Sequence, residues 1–225
     1  MKTLAARRTV LFTALALAGS LAFAAAPMVK TQAPGYYRTM LGDFEVTVLN
    51  DGTVDLPMDK LLHAKPAKTE AAFKKSFLKA PIETSVNAFL INTGSKLVLV
   101  DTGAASAFGP TLGKLIANLK AAGYQPEQID EIYITHMHPD HASGLVLGDK
   151  AAFPNAVVRA DKRDADFWLS KVNLEKAPAD KKGYFQGAMG AFGPYADAGK
   201  FQPFEGSTEL VPGIKASSSF GHTPG

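Results

Sequence analysis

Three of the five histidines in the chain lie within six residues, and their spacing indicates a metal site. His136 and His138 are two residues apart, and Asp140 and His141 follow directly after a proline. In an extended strand, residues two apart point to the same side, so both imidazoles could reach one ion. Asp140 and His141, at the turn into a following helix, would serve a second ion about 3.5–4 Å away. This pattern favours a di-metal site over a solvated histidine-rich turn.

A further histidine, His222, lies in the segment Gly-His-Thr-Pro-Gly that ends the sequence. The glycines before and after it let the backbone approach a ligand closely. Three histidines on one zinc leave the fourth position for water, which is typical of a catalytic site. A loop histidine without a ligand role is the alternative. The remaining histidine, His63, has no chemical partners nearby in the sequence and is predicted to lie at the surface.

The donor set restricts the metal and the type of chemistry. Imidazole and carboxylate ligands without thiolate suit zinc, and also iron, cobalt or manganese. The chain contains no cysteine, which excludes thiolate ligands and a thiol nucleophile. Water on such a metal ionises near pH 7, so a metal-bound hydroxide is the expected nucleophile.

Asp101 is the candidate supporting carboxylate. It ends the apolar run Leu-Val-Leu-Val and begins Asp-Thr-Gly. A carboxylate at this point could accept a hydrogen bond from a ligating imidazole and fix the metal loop. Two alternatives remain: a plain cap at the end of a strand, and the Asp-Thr-Gly triplet of aspartic proteases. Protease chemistry needs two such carboxylates, and this chain has a single triplet.

The elements that must position these residues follow from periodicity and turn signals. Strands that come early in the chain are predicted at 44–49 and 53–56 around the turn Asn50-Asp51-Gly52, and as a hairpin at 86–92 and 96–100. Later strands, 129–135, 157–160 and 211–220, alternate with helices at 110–122 and 161–171, the second capped by Asp161. A helix is also predicted at 69–79, an irregular lead-in at 27–42 and a long surface segment at 176–206. Antiparallel strands followed by alternating strands and helices predict a mixed α/β fold.

The first 26 residues have the layout of a signal peptide. Lys2, Arg7 and Arg8 precede an apolar run over 10–23, and small residues lead up to Pro27. The apolar run is short for a membrane span, so a signal peptide (1–26) is favoured over an N-terminal anchor, and the mature domain is 27–225. The arginine pair is compatible with a Sec or a twin-arginine signal. The protein is therefore expected to be periplasmic or secreted, without a stable membrane span after cleavage.

Composition supports one globular domain and argues against nucleic-acid binding. The chain has 225 residues, of which 46% are hydrophobic and 20% charged, as in ordinary globular proteins. Of its 24 basic residues, three lie in the signal, which leaves 21 to balance 21 acidic ones. A mature domain without net charge lacks the basic surface that nucleic acids require.

The ordered set Asp-Thr-Gly, His-x-His-x-Asp-His and Gly-His-Thr-Pro-Gly resembles the metallo-β-lactamase superfamily. The resemblance implies a four-layer αβ/βα sandwich with two zinc ions per complete active site, with Co²⁺, Mn²⁺ or Fe²⁺ as substitutes. It assigns His136, His138 and His222 to the first metal, Asp140 and His141 to the second, and a supporting catalytic role to Asp101. Asp140 is counted with the catalytic residues as well as with the ligands.

Within the superfamily, the sequence is most similar to organophosphate triesterases of the methyl parathion hydrolase type. The similarity is carried by residues 33–57, 85–112, 122–141 and 152–170. It implies a small-molecule ester substrate, a homodimer, and a substrate pocket lined by Phe108, Trp168 and Phe185. An aromatic wall suits an aryl leaving group, although the same residues are also typical of a hydrophobic core. Lactonases of the quorum-quenching kind and β-lactamases share the metal motifs, and a non-catalytic periplasmic binding protein is the remaining alternative.

The sequence departs from the superfamily in its last part. The resemblance implies two more ligands, an aspartate that bridges both metals and a final histidine, and neither follows His222. The expectation is a C-terminally truncated chain with an incomplete second half of the sandwich and weak activity of its own.

Overall fold

The central sheet combines an antiparallel half with a parallel half. A computed structural model describes residues 26–62 and 64–225, so almost all of the predicted signal peptide, and His63, lie outside the described residues. The strands are β1 (Tyr36–Leu41), β2 (Phe44–Leu56), β3 (Ile82–Asn92), β4 (Leu97–Val100), β5 (Glu131–Tyr133), β6 (Val146–Leu147), β7 (Lys150–Ala151), β8 (Val157–Arg159), β9 (Thr208–Val211) and β10 (Ile214–Ala216). Strands β1 to β4 pair antiparallel in chain order, and β5 and then β8 extend the sheet in parallel. The predicted mixed α/β fold is confirmed.

Helices and small hairpins complete the fold. The helices are α1 (Met58–Leu61), α2 (Pro66–Lys75), α3 (Leu115–Ala121), α4 (Pro139–Ala142), α5 (Lys162–Trp168), α6 (Lys171–Lys176) and α7 (Lys182–Asp197), with 3-10 turns at Pro126–Gln128 and Ser143–Leu145. Strands β6 and β7 form one hairpin, and β9 and β10 another. Residues 33–225 make up one unit. Within the part of the chain that the structure describes, no helix has both the length and the apolar character to cross a membrane.

The two faces of the sheet are buried against different partners. Since side chains alternate along a strand, Leu99 of β4 joins the main core on the helical face, whereas Val98 points to the opposite face. In β5, Ile132 likewise joins the main core on the helical face, and Tyr133 lies on the opposite face. Val211 of the β9–β10 hairpin packs on the second face. The described residues therefore form a helical layer, a sheet, and a small layer beyond the sheet, which is consistent with the superfamily sandwich.

The turn predicted at Asn50-Asp51-Gly52 is wrong, because β2 continues through it. The pairing of β2 with β3 shifts between Asn50 and Gly52, as at a β-bulge. Asp51 is fully buried, and its carboxylate accepts the backbone N–H groups of Ala104 (2.9 Å) and Leu115 (3.0 Å). The turn-forming residues thus serve as a buried anchor for a neighbouring loop.

The segment 176–206, predicted to be a surface loop, contains the longest helix among the described residues. Helix α7 spans 16 residues and buries one face against the core. The hydroxyl of Tyr195 donates to the Leu145 carbonyl (2.9 Å) and accepts from the Phe153 N–H (3.1 Å). Burial of this hydroxyl raises the pKa of Tyr195 to about 12. The helix therefore fastens the segment that follows the metal-ligand motif.

Several helices and strands also have other limits than the sequence predicts. The lead-in 27–42 contains β1, the helix predicted at 110–122 is limited to α3, and the strand predicted at 211–220 is replaced by the β9–β10 hairpin. The hairpin of β3 and β4 is confirmed, and so is the cap of α5, where the Asp161 side chain accepts the N–H of Arg163.

Candidate metal centre

His136 and His138 lie on residues 134–138, between β5 and α4, and not on a strand. We call this segment the ligand turn. Strand β5 ends at Tyr133, so the strand predicted at 129–135 is shorter than expected and does not align the two histidines. Two carboxylates hold the turn instead: Asp101 Oδ1 accepts the N–H of Thr135 (2.8 Å), and Asp164 Oδ2 accepts the N–H of Met137 (2.6 Å). The ring centroids of the two histidines lie 4.7 Å apart. The imidazoles converge because the backbone between them is fixed from two sides.

Asp101 connects the end of β4 to the ligand turn. Its φ of 61° places it in the left-handed region, which aspartate tolerates better than most residues. Its Oδ2 lies 2.8 Å from Nδ1 of His141, and its backbone N–H donates to the Tyr133 carbonyl (2.9 Å). The structure therefore shows the carboxylate–imidazole contact that the sequence predicts for Asp101. Such a contact orients a metal-ligating imidazole.

Asp140 and His141 lie on α4, immediately after the turn. With Nδ1 of His141 directed at Asp101, its Nε2 faces Oδ2 of Asp140 at 3.3 Å. These two atoms are the donors that a metal ion between the residues would use. Burial alone would lower the pKa of His141, but hydrogen bonds to Asp101 and Asp140 outweigh it and raise the pKa to about 9.

His222 completes a three-histidine cluster. It follows β10 on an exposed segment, and its ring lies 4.6 Å from that of His136 and 4.9 Å from that of His138, between centroids. One ligand atom from each of the three residues lies within 4.8 Å of the others. The ring of His141 is also near, 4.0 Å from that of His136. All five ligand residues predicted from the sequence therefore lie in one region.

Two imidazoles of the cluster, those of His136 and His138, favour the neutral form that metal binding requires. Burial, helped by the neighbouring histidines, lowers the pKa of His136 to about 3. Burial and the nearby His222 also lower the pKa of His138. The Thr135 hydroxyl contacts both oxygens of Asp101 and lies 3.1 Å from Nδ1 of His136. If this hydroxyl donates to Asp101, it accepts from Nδ1 of His136 and leaves the lone pair on Nε2.

The Nε2 atom of His136 is buried and has no hydrogen-bond partner among the described residues. Buried nitrogen atoms are normally paired, so an unpaired one indicates that a further binding partner belongs there. A divalent cation held with His138 and His222 is such a partner, and three imidazoles fit zinc best. The residues present therefore fit a metal ion.

One of the three predicted pocket aromatics, Trp168, lies beside the metal cluster, and a second, Phe185, packs behind it. The Trp168 ring meets the His138 ring edge-on at 5.6 Å, and Phe185 packs against Trp168 at 4.8 Å. Both are nearly buried and belong to the main core. Phe108 lies apart from them, on the loop after β4, and is 37% exposed. Their role in substrate binding stays a prediction.

A cavity of about 500 Å³ opens beside the histidines. Its lining includes His136, His222, Asp164 and Phe220. The three aromatics predicted to line the pocket are not among the described residues that line this cavity. The cavity is large enough for a small organic substrate.

Sequence reasoning missed two residues of this region, Asp164 and Tyr184. Asp164 is 3% exposed and holds the ligand turn, while the Tyr184 ring lies 6.0 Å from that of His138. The spacing of Asp164 and Trp168, four residues apart, places both on one face of α5 and was the available signal. Nothing in the sequence distinguishes Tyr184 from the other aromatics of its segment.

The α/β sheet and the clustered histidines define a protein with a candidate metal centre beyond the carboxyl ends of its parallel strands. Residues 81–225 match the metallo-beta-lactamase superfamily. The chain belongs to this superfamily.

Solved structures and curated proteins agree with this membership. The chain is similar to a hydrolase described as AbOPH, in the beta lactamase superfamily, with 38% identity, a TM-score of 0.72, and coverage of 78% of this chain and 62% of that one. It is also similar to AidC, a dizinc quorum-quenching lactonase solved with its product N-hexanoyl-L-homoserine, with 25% identity, a TM-score of 0.70, and coverage of 79% and 64%.

A shorter similarity links the chain to the exodeoxyribonuclease WalJ of Streptococcus pneumoniae. It has 36% identity over 77 residues, which cover 34% of this chain and 26% of WalJ. The chain thus spans about a quarter of this curated relative and under two thirds of the two solved structures.

Proposed function

We propose that this protein is a zinc-dependent hydrolase of small-molecule esters, and that its substrates are phosphotriesters with aryl leaving groups, such as methyl parathion. The observation that carries the proposal is the three-histidine cluster of His136, His138 and His222, with its unpaired, buried Nε2 atom. Three protein ligands leave one coordination position for water or substrate, which is the arrangement of catalytic zinc sites.

The chain's own residues supply the positioning. When bound in such a site, zinc lowers the pKa of a coordinated water to about 7 and polarises an ester oxygen. Asp101 and Thr135 orient His136 and His141, and the low pKa of His136 keeps its lone pair available at neutral pH. Asp140 and His141 are the proposed ligands of a second ion. No strong general acid is required, because an aryloxide is a good leaving group.

The preference for an aryl phosphotriester is supported by the aromatic residues near the cluster and by the similarity to the hydrolase AbOPH. Trp168 packs edge-on against the His138 ring, and Phe108 is exposed on the loop after β4, where it is accessible to an aryl group. Stacking on an aromatic side chain contributes about 0.5–1.5 kcal/mol. We therefore expect Phe108→Ala to raise KM for an aryl phosphotriester about two- to tenfold and to leave a dialkyl ester unaffected.

A quorum-quenching lactonase is the second candidate. The similarity to the dizinc lactonase AidC extends over 79% of this chain. A nucleophilic hydroxide that attacks phosphorus can also attack a lactone carbonyl, so the metal ligands alone do not separate the two activities.

A substrate panel tests the proposal. Purified protein, stripped of metal and reloaded with zinc or cobalt, is assayed with an aryl phosphotriester, an N-acyl homoserine lactone, a β-lactam and single-stranded DNA. We expect the highest kcat/KM for the phosphotriester, no turnover after metal removal, and loss of turnover in a folded His138→Ala variant. A higher kcat/KM for the lactone would favour the second candidate, and unchanged turnover in His138→Ala would exclude both.

Export is a separate proposal. The basic and apolar pattern of residues 1–26 supports cleavage of a signal peptide and a periplasmic or secreted protein. Mass spectrometry of the exported protein should find an N-terminus between Ala25 and Pro27, and an intact N-terminus in a membrane fraction would contradict it. The proposed homodimer is tested on the same sample by sedimentation.

A further inference from the structure

Asp164 is a buried carboxylate that the proposed chemistry does not use. It lies on α5, is 3% exposed, and forms no ion pair with the described residues. Burial of a carboxylate is costly unless its oxygen atoms are hydrogen-bonded. Its partners therefore indicate what this residue does.

The two oxygens of Asp164 accept from two different parts of the site. Oδ2 accepts the backbone N–H of Met137 at 2.6 Å, and Oδ1 accepts the indole N–H of Trp168 at 3.1 Å. Hydrogen bonds to an ionised carboxylate are stronger than neutral ones. One side chain thus ties the ligand turn to the aromatic residue beside it.

Both bonds act on His138. Met137 is the residue between the two ligands, so a displacement of its backbone would move both imidazoles. Trp168, held by the other oxygen, meets the His138 ring edge-on at 5.6 Å between centroids. Asp164 therefore restrains the backbone before His138 and the surface against which its imidazole packs.

We propose that Asp164 is a positioning residue that sets the geometry of the three-histidine metal site through Met137 and Trp168. This inference rests on the proposed function of that site. Hydrogen-bonded residues that orient metal ligands typically change metal affinity about 10- to 100-fold when they are replaced. The same range is expected here.

Asp164→Asn is the decisive variant, because asparagine has the same shape but a single acceptor oxygen. Its amide group would face one of the two N–H donors. Dissociation constants for zinc, measured by chelator competition on the purified chain, should rise about 10- to 100-fold. The visible spectrum of bound Co²⁺ should change, because it reports ligand geometry.

Two further variants separate the contributions. Trp168→Phe removes the indole bond alone and should weaken zinc binding less than Asp164→Asn does. Asp166→Asn removes a negative charge from an exposed position of the same helix, where the carboxylate pairs with Lys162, and should leave zinc affinity and the Co²⁺ spectrum unchanged.

The outcomes are distinct. If Asp164→Asn lowers the free energy of unfolding but keeps the zinc affinity and Co²⁺ spectrum of the wild type, Asp164 is a structural residue and the inference is wrong. If that variant does not fold, hydrogen exchange of the Met137 amide in the wild type decides: slow exchange supports the inference, and exchange as fast as an exposed amide overturns it. A wild type that binds zinc but hydrolyses no ester contradicts the proposed function alone.

Discussion

Residues 135–141 and residues 217–225 both bring histidines to the metal centre, but the contacts that hold them differ. The first segment is bonded to Asp101 and Asp164 through its backbone and side chains. Among the residues that the structure describes, no hydrogen bond involves residues 217–225. His222 is also exposed, whereas the other two histidines of the cluster are half-buried. Residues 217–225 do contact α5, where the Phe220 ring lies 4.5 Å from the Arg163 guanidinium. The first segment is therefore held by hydrogen bonds, and the second by packing contacts.

This difference has an energetic meaning. Ligands that are already in position cost little conformational entropy when an ion binds, whereas a loosely held ligand must be ordered at that moment. The comparison predicts that substitutions of the residues that hold 135–141 lower the stability of the metal-free protein. Substitutions in residues 217–225 should leave that stability unchanged.

Asp101→Ala should have the largest effect on the metal-free protein. It leaves the Thr135 N–H and Nδ1 of His141 without their acceptor, and each hydrogen bond to a charged group contributes about 1.5–3 kcal/mol. We expect the free energy of unfolding in urea to fall by about 3 kcal/mol. Asp101→Asn, which keeps one acceptor and tolerates the left-handed backbone, should lose less. If the free energy of unfolding fell no more than for a surface substitution, Asp101 would not be needed to hold residues 135–141 in place.

Tyr195→Phe should have an intermediate effect. The substitution leaves the Leu145 carbonyl and Phe153 N–H without partners, at a cost of about 1–3 kcal/mol. The wild type should also lose stability above pH 10, because the pKa of this hydroxyl is raised to about 12 in the folded protein and stays near 10 in the unfolded chain. The contribution is complete below pH 10 and decreases between pH 10 and about 12.

Denaturant unfolding at a series of pH values measures both parts of this prediction. The Tyr195→Phe variant is its own control, since the pH-dependent contribution of this group should be absent from it. Parallel pH profiles of variant and wild type would show that the hydroxyl is not held as described.

His222→Ala should have the smallest effect on stability. Substitutions at exposed positions usually change the free energy of unfolding by less than about 0.5 kcal/mol. Zinc affinity should nevertheless fall strongly, because the ion loses one of three ligands. Calorimetric titration with zinc, beside denaturation without metal, separates the two quantities. A large loss of stability without metal would mean that this segment is as firmly held as the ligand turn.

The sequence predicted the parts of the molecule whose signals are local. The hairpin of β3 and β4 follows from two apolar runs around Thr93-Gly94-Ser95, and Asp161 is a strong N-cap for α5. The candidate ligands could be named from the sequence because histidines and an aspartate at this spacing are typical of metal sites, and the structure places them in one region. Their convergence was predicted for the wrong reason, since carboxylates distant in sequence, and not strand alternation, bring them together.

What the sequence did not predict depends on packing between distant residues. Helix α7 contains Gly183, Gly187, Gly190, Gly193 and Pro194, which have low helix propensity. It is helical because one face, with Phe185, Phe192 and Tyr195, is buried in the core. Similarly, the sequence Asn50-Asp51-Gly52 is typical of a turn, but in β2 it forms a bulge. There Asp51 is buried and bonded to residues distant in the sequence.

The two bonds of Asp51 have a consequence for how this protein could change. Its carboxylate holds Ala104 and Leu115, so a single side chain closes the base of the loop between them. Lengthening a loop with fixed ends costs little, about 0.6 kcal/mol for each doubling. The loop that carries Phe108 can therefore accept insertions or exchange while the metal ligands keep their places. With the role proposed for Phe108, insertions or exchanges in this loop would be a route to altered substrate preference.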